Sequence, residues 1–198
     1  LISLGDGKMK KCSEIRLYVM RFSEDSPSAS TGVKLYRLGV AERIGERRLH
    51  NLKGIILDPY AETLISKKDL SEAKTLVVID RSWNVLEKEK RMRLKAGKML
   101  RRRLPLLIAS NPINYTKAFK LSSAEALAAA LAILGCQDRA KEVMSKFKWG
   151  DNFFSLNAKL FELYNKANDA QELLNAEKEA VRLLTGGESI DESRGSSW

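Results

Sequence analysis

Cysteine is scarce: the 198 residues contain only Cys12 and Cys136. Two thiols so far apart are too few for a metal site or a disulfide framework. Histidine is scarcer still. His50 stands alone in a basic loop with no nearby carboxylate or cysteine, so a Ser-His-Asp or Cys-His mechanism has little support and a bound metal has none. No apolar run approaches the ~20 residues of a membrane-spanning helix. The first residues, with Gly5, Asp6 and Gly7 beside Lys8, Lys10 and Lys11, lack the apolar core of a signal peptide. The expectation is therefore a cytoplasmic protein with no membrane partner. Neither GxGxxG after a strand nor GxxxxGK[ST] occurs, so a nucleotide would have to be bound some other way. Internal repeats are absent as well.

What is present points to a polyanion. The chain carries a net charge of +10, and 44% of its residues are hydrophobic, enough for a globular core. The charge is concentrated: Lys88, Lys90, Arg91, Arg93, Lys95, Lys98, Arg101, Arg102 and Arg103 follow one another with no acid after Glu89. A solvated helix face is the plain explanation of such a run. Contact with nucleic-acid phosphates explains its density better, and Lys98, Arg101, Arg102 and Arg103 are the residues placed on RNA.

The stretch 104–135 organises the rest. Its apolar start, 104–109, has the length of one buried strand, and Ser110-Asn111-Pro112 closes it. A loop carrying Asn114, Tyr115 and Phe119 follows. Ser122 with Glu125 forms a capping box, Leu121 with Ala126 has the spacing of a hydrophobic staple, and Gly135 ends the alanine-rich helix. Further strands are expected at 15–22, 54–57 and 75–80, with short helices at 33–44 and 70–74 between them. After Gly135 the chain reads as helices: 138–146, an apolar stripe from Phe153 to Tyr164 behind Asp151, and a last helix capped by Asn168 or Asp169. Three apolar strands would then end at Asp58, Asp80 and Asn111, lining one crevice of a parallel α/β sheet. Asp80 could be a base, an orienting group or a turn cap, and Trp83 could be core or the ring that holds a cation such as a sulfonium.

At these residues a family resemblance emerges. STGVKLYRLGVAE (30–42), GIILDP, VVIDRSW, RRLPLLIASNPINY, KLSSAEALAAAL and KFKWGDNF, in this order over residues 17–164, resemble the small-subunit ribosomal RNA aminocarboxypropyltransferases of archaea and eukaryotes. The resemblance implies an α/β fold with an N-terminal α/β domain over 1–95. A SPOUT-like C-terminal domain over 96–185, with a deep trefoil knot and a helical end, and a mobile tail over 186–198 would follow. It implies transfer of the 3-amino-3-carboxypropyl group of S-adenosylmethionine to N3 of N1-methylpseudouridine in small-subunit rRNA, releasing 5′-methylthioadenosine during ribosome biogenesis, by a monomer. Asp80 would be the catalytic acid–base residue. Thr31, Ile79, Trp83, Leu104, Pro105, Leu106, Leu107, Tyr115, Leu121, Ser122 and Ala124 would bind the cofactor, and no metal is implied. A SPOUT-class methyltransferase and a non-catalytic assembly factor are the alternatives. The chain departs from the family's usual pattern at Ser26-Pro27-Ser28-Ala29, which lacks basic residues and cysteine, at Arg81 where a small residue is usual, and at Thr116 where glycine is common.

Overall fold

A computed structural model describes residues 4–21, 30–89 and 96–186. Ser26 to Ala29, the basic residues Lys90, Arg91, Arg93 and Lys95, and the tail beyond Gly186 lie outside the described residues. Five strands form one parallel sheet in the order β2-β1-β4-β3-β5: β1 (Arg16–Arg21), β2 (Glu42–Ile44), β3 (Ile55–Leu57), β4 (Thr75–Asp80) and β5 (Leu100–Arg102). β4 is central, and every one of its residues is buried, as a parallel strand covered on both faces requires.

Alternation along the strands divides the core in two. Leu17, Val19, Ile55, Leu57, Leu76 and Val78 face the larger cluster, with α1 (Leu4–Glu14) and the alanine-rich α5 (Ser123–Leu134). Tyr18, Met20, Ile56, Val77 and Ile79 face the smaller one, covered by Leu49 of α3 (Glu46–Leu49), Leu86 of α4 (Trp83–Glu89) and Met99. The remaining helices are α2 (Thr31–Arg37), α6 (Gln137–Ser145), α7 (Gly150–Leu156), α8 (Ala158–Tyr164) and α9 (Ala170–Leu184), with a 3-10 turn at Lys67–Ser71.

The capping box at the start of α5 forms as expected: Ser122 Oγ accepts from Glu125 N at 3.3 Å, and Glu125 Oε2 accepts from Ser122 N at 2.7 Å. Gly135 ends the helix in the left-handed conformation, φ 89°. Asp169 caps α9 through the amides of Gln171 and Glu172.

Four expectations are corrected. The helix expected over 33–44 stops at Arg37, and Glu42–Ile44 is the strand β2. Residues 104–109 are not a strand; they run as an irregular segment, and the strand on that side is β5, which ends two residues before it at Arg102. Leu-Pro-Leu-Leu supplies apolar bulk but little β-branching, and Pro105 has no amide for a ladder. The stripe from Phe153 to Tyr164 is two helices, broken at Asn157. Cys12 and Cys136 are joined in a disulfide, their Cα atoms 5.4 Å apart across a sequence separation of 124 residues. The last turns of α1 meet the start of α6, where Arg139 also donates to the carbonyls of Cys12 and Ser13, so distance along the chain said nothing about distance in space.

Candidate active site

The connection from β1 leads through α2 to β2 on one side of the sheet. The connection from β4 leads through α4 to β5 on the other. Chain connections thus diverge between the neighbouring strands β1 and β4, and in such sheets the crevice beyond the carboxyl ends at that point is where ligands bind. The residues there are Arg21 and Asp80, which are register partners.

Asp80 lies on the α5 face and is buried, with 8% of its surface exposed. Its Oδ1 accepts from Ser123 Oγ at 2.6 Å, its Oδ2 accepts from Ser30 Oγ, and Arg21 Nε stands 4.0 Å from Oδ2. Two helix starts therefore converge on one carboxylate. Ser30 also caps α2 by accepting from Val33 N at 3.0 Å, and Ser123 is the first residue of α5. Gly32 makes the approach of α2 possible, since a Cβ there would stand 2.5 Å from Asp80 Cγ. Ser30, Gly32 and Ser123 carry no chemistry that marks them in sequence; only the convergence of α2 and α5 identifies them.

Around this centre the structure gathers most of the residues expected to hold a cofactor. Thr31 begins α2, Ile79 precedes Asp80, and Leu121, Ser122 and Ala124 form the start of α5. Trp83, half-buried, begins α4 and donates from Nε1 to Leu121 O at 3.0 Å, which fixes its indole edge against the entrance to α5.

Segment 104–110 is locked by side chains from distant elements. Leu106 N donates to Glu177 Oε1 at 2.8 Å, and Leu106 O accepts from Tyr164 OH at 2.7 Å. Asn157 accepts from Ile108 N at 2.7 Å and donates to Ile108 O at 2.8 Å. Leu107 O accepts from Phe119 N at 2.9 Å. Glu125, fully buried, accepts from both the amide and hydroxyl of Ser110 and from the amide and side chain of Asn111. A carboxylate surrounded by donors fixes this segment to the first turn of α5 without a cation. Pro105, Leu106 and Leu107 are buried and Leu104 is half-buried, whereas Tyr115 is 53% exposed at the outer end of the following loop. In sequence Glu125 is visible only as a cap. Tyr164 shows only as the end of an apolar stripe, and Glu177 and Asn157 give no signal at all.

The arginines expected on RNA have carboxylate partners. Arg101 pairs with the buried Asp58, Arg102 Nη2 meets Asp69 Oδ1 at 3.0 Å, and Arg103 grips Glu177 at 2.9 and 2.8 Å. Their side chains are 38%, 19% and 23% exposed respectively, and Lys98 alone of the four is fully at the surface. Arg103 thus supports the segment through Glu177, and breaking such a pair leaves an uncompensated charge.

Tyr164 yields a pH prediction. Burial, then the nearby Glu177, pushes its hydroxyl above the usual tyrosine range. A pKa raised on folding stabilises the native state fully below the unfolded value, about pH 10, and that contribution disappears as pH rises towards the folded value. Tyr164→Phe is expected to cost about 1–3 kcal/mol at neutral pH by stranding the Leu106 carbonyl. It should also flatten the alkaline decline, which denaturant unfolding at several pH values would measure.

Comparison with known proteins places this geometry in a family. Residues 55–181 match the family model "Ribosome biogenesis protein, C-terminal". The chain is 38% identical over 183 residues to the 16S rRNA aminocarboxypropyltransferase of Vulcanisaeta distributa, covering 87% of this chain and 98% of that protein. It is 40% identical over 156 residues to the enzyme of the same name from Thermoplasma acidophilum, covering 78% and 92%. The solved structure of the SAM-dependent rRNA:acp-transferase Tsr3 from V. distributa superposes with a TM-score of 0.71 at 38% identity, over 88% of this chain and 100% of that one. This chain belongs to the family of 16S rRNA aminocarboxypropyltransferases.

Proposed function

We propose that the chain transfers the 3-amino-3-carboxypropyl group of S-adenosylmethionine to N3 of an N1-methylpseudouridine in small-subunit rRNA, with release of 5′-methylthioadenosine. The observation that carries the reading is the crevice between β1 and β4, where a buried carboxylate and an indole both bond to the start of α5, to which Glu125 fastens the apolar segment, in a chain related to enzymes of that name. The residues fit the group. The sulfonium of the donor, when bound, offers three attackable carbons. Trp83 gives its positive charge an aromatic face. Segment 104–107, with Leu106 and Leu107 buried and its carbonyls held in place, suits an adenine bound by backbone groups. Selection of the propyl carbon over the methyl is a matter of which one these walls leave in line with the RNA.

Asp80 is the group beside the nucleophile. An imide N3 must lose its proton as the N–C bond forms, and a carboxylate at hydrogen-bond reach takes it. Both oxygens of Asp80 already accept hydroxyl donors, and an ionised carboxylate retains further lone-pair sites for the substrate. On the RNA side, Lys98 is exposed and meets phosphate, and Arg101, its side chain 38% exposed, meets one while paired with Asp58. The same reading has the C-terminal part, residues 96–185, as a SPOUT-like unit with a trefoil knot, following an N-terminal α/β part. It has the protein acting as a cytoplasmic monomer on the pre-ribosomal small subunit. No described helix is long and apolar enough to cross a membrane.

One incubation decides the reading. Wild-type protein, S-adenosylmethionine and small-subunit rRNA that carries the N1-methylpseudouridine but not the aminocarboxypropyl group should yield 5′-methylthioadenosine in amounts matching the modified nucleotide. S-adenosylhomocysteine as the product would make the protein a methyltransferase, and no turnover at all would favour an assembly factor.

A further inference from the structure

Residues 111–120 leave the candidate site and return to it. The backbone of this loop is firmly held. Asn114 N donates to Asn111 Oδ1 at 3.0 Å, Thr116 N to Ala109 O at 2.8 Å, Ala109 N to Lys117 O at 3.0 Å and Phe119 N to Leu107 O at 2.9 Å. Despite this order, Thr116 and Phe119 have φ of 64° and 63°, the left-handed region that side chains avoid. At Thr116 glycine would adopt this φ without the steric cost that threonine carries.

Phe119 is the more informative residue. The residue is 47% exposed, and Ile113 on the same loop is 71% exposed. Neither side chain contributes to the core, so folding gains little from them, and glycine at 119 would relieve the backbone. Strain held in place by surrounding hydrogen bonds, at a position that leaves an aromatic ring in water, points to a use for the ring. The surroundings indicate which use. Residues 110–124 contain no acid, Lys117 is exposed, and Lys120 reaches across to Glu87 of α4 at 2.6 Å. The loop is tied to Leu107 by the Phe119 amide, and Leu121 just beyond it is tied to Trp83, so the backbone of Phe119 lies two residues from the entrance to α5 rather than on a remote face.

An aromatic ring beside an ammonium is how proteins hold the splayed bases of single-stranded RNA. We propose that Phe119, backed by Ile113, is the platform on which an unstacked base of the rRNA substrate lies, with Lys117 on the adjoining phosphate. This deepens the rRNA-modifying reading above and rests on it. The platform orients the strand so that the reacting nucleotide enters the crevice; it holds no atom of the cofactor.

The test compares binding of an unmodified small-subunit rRNA transcript by the wild type, Phe119→Ala, Phe119→Tyr and Lys117→Ala over a range of salt, with S-adenosylmethionine affinity measured alongside. Phe119→Ala should weaken RNA binding about 5- to 150-fold, with the salt slope unchanged because stacking releases no counterion. Phe119→Tyr should restore affinity, and Lys117→Ala should reduce the salt slope by about one. Cofactor affinity should stay at the wild-type value throughout. RNA affinity of Phe119→Ala within twofold of wild type overturns the platform, and so does a parallel loss of cofactor affinity. Wild-type release of 5′-methylthioadenosine, measured separately on rRNA that carries N1-methylpseudouridine, separates these outcomes from failure of the transferase reading, because the binding comparison stands whether or not turnover is seen.

Discussion

Replacing Cys12 and Cys136 together by alanine is expected to destabilise the protein by about 4–5 kcal/mol, the loop-entropy value for a bridge that closes more than a hundred residues. The bridge spans 124 residues. Domains are stable by about 5–15 kcal/mol in total, so the loss would consume a large part of the margin. The folded side of the argument agrees with the unfolded side. α1 is 11 residues long, its Lys8, Lys10 and Lys11 are exposed, and Met9 is 67% exposed. A helix so short is marginal by itself in water. The disulfide, with Arg139 gripping the carbonyls of Cys12 and Ser13, binds its end to α6, directly before Ile15 enters β1. Denaturant midpoints of the oxidised, reduced and double-alanine proteins measure the effect, and amide exchange should show α1 opening first. Reduced and oxidised forms that unfold within about 1 kcal/mol of each other would show that the native contacts carry this joint alone, against the chain-entropy value.

The parts of the site legible in sequence are those made by neighbours in sequence. Ser122 and Glu125 lie three residues apart and cap one helix, and Asp80 ends the most β-branched run of the chain, so both were readable. Everything that depends on return of the chain was not. Ser30 reaches Asp80 across 50 residues and Glu177 reaches Leu106 across 71, and neither partner has a local pattern to announce it. The same cause hides β5. Leu100–Arg102 reads as part of a basic run, and it is a strand because Asp58 and Asp69 come from elsewhere to neutralise its arginines. Conversely, 104–109 looks like a strand by hydrophobicity, yet its backbone groups are satisfied by Glu177, Tyr164 and Asn157 instead of by a neighbouring strand. Asn157 also explains why the aromatic stripe divides: its side-chain amide donates to Phe153 O and Ile108 O, so the residue that breaks the helix is the one that fastens the site segment. Buried polar groups demand partners, and in this chain that demand shapes the crevice more than hydrophobic periodicity does.

Asp80→Asn is expected to lower the rate of 5′-methylthioadenosine release by about 10²–10⁴-fold, the usual loss for a general base. The substitution suits the site. Asparagine keeps the size of the side chain, and the hydroxyls of Ser30 and Ser123, each able to donate or accept, can reverse to meet the new amide. Gly32 leaves no room for anything larger, so the backbone of α2 should stay where it is. Cofactor binding and the unfolding midpoint should therefore survive, which separates a chemical role from a structural one. The pH dependence separates the two chemical roles. If Asp80 takes the N3 proton, the residual rate of the variant should climb with pH as the imide ionises without help, and the wild-type advantage should shrink. If Asp80 only orients Ser30, Ser123 and Arg21 around the substrate, the loss should be modest and constant across pH. A near-normal rate in the variant removes Asp80 as the base and shows that its charge, held 4.0 Å from Arg21 at the junction of β1 and β4, is not needed for turnover.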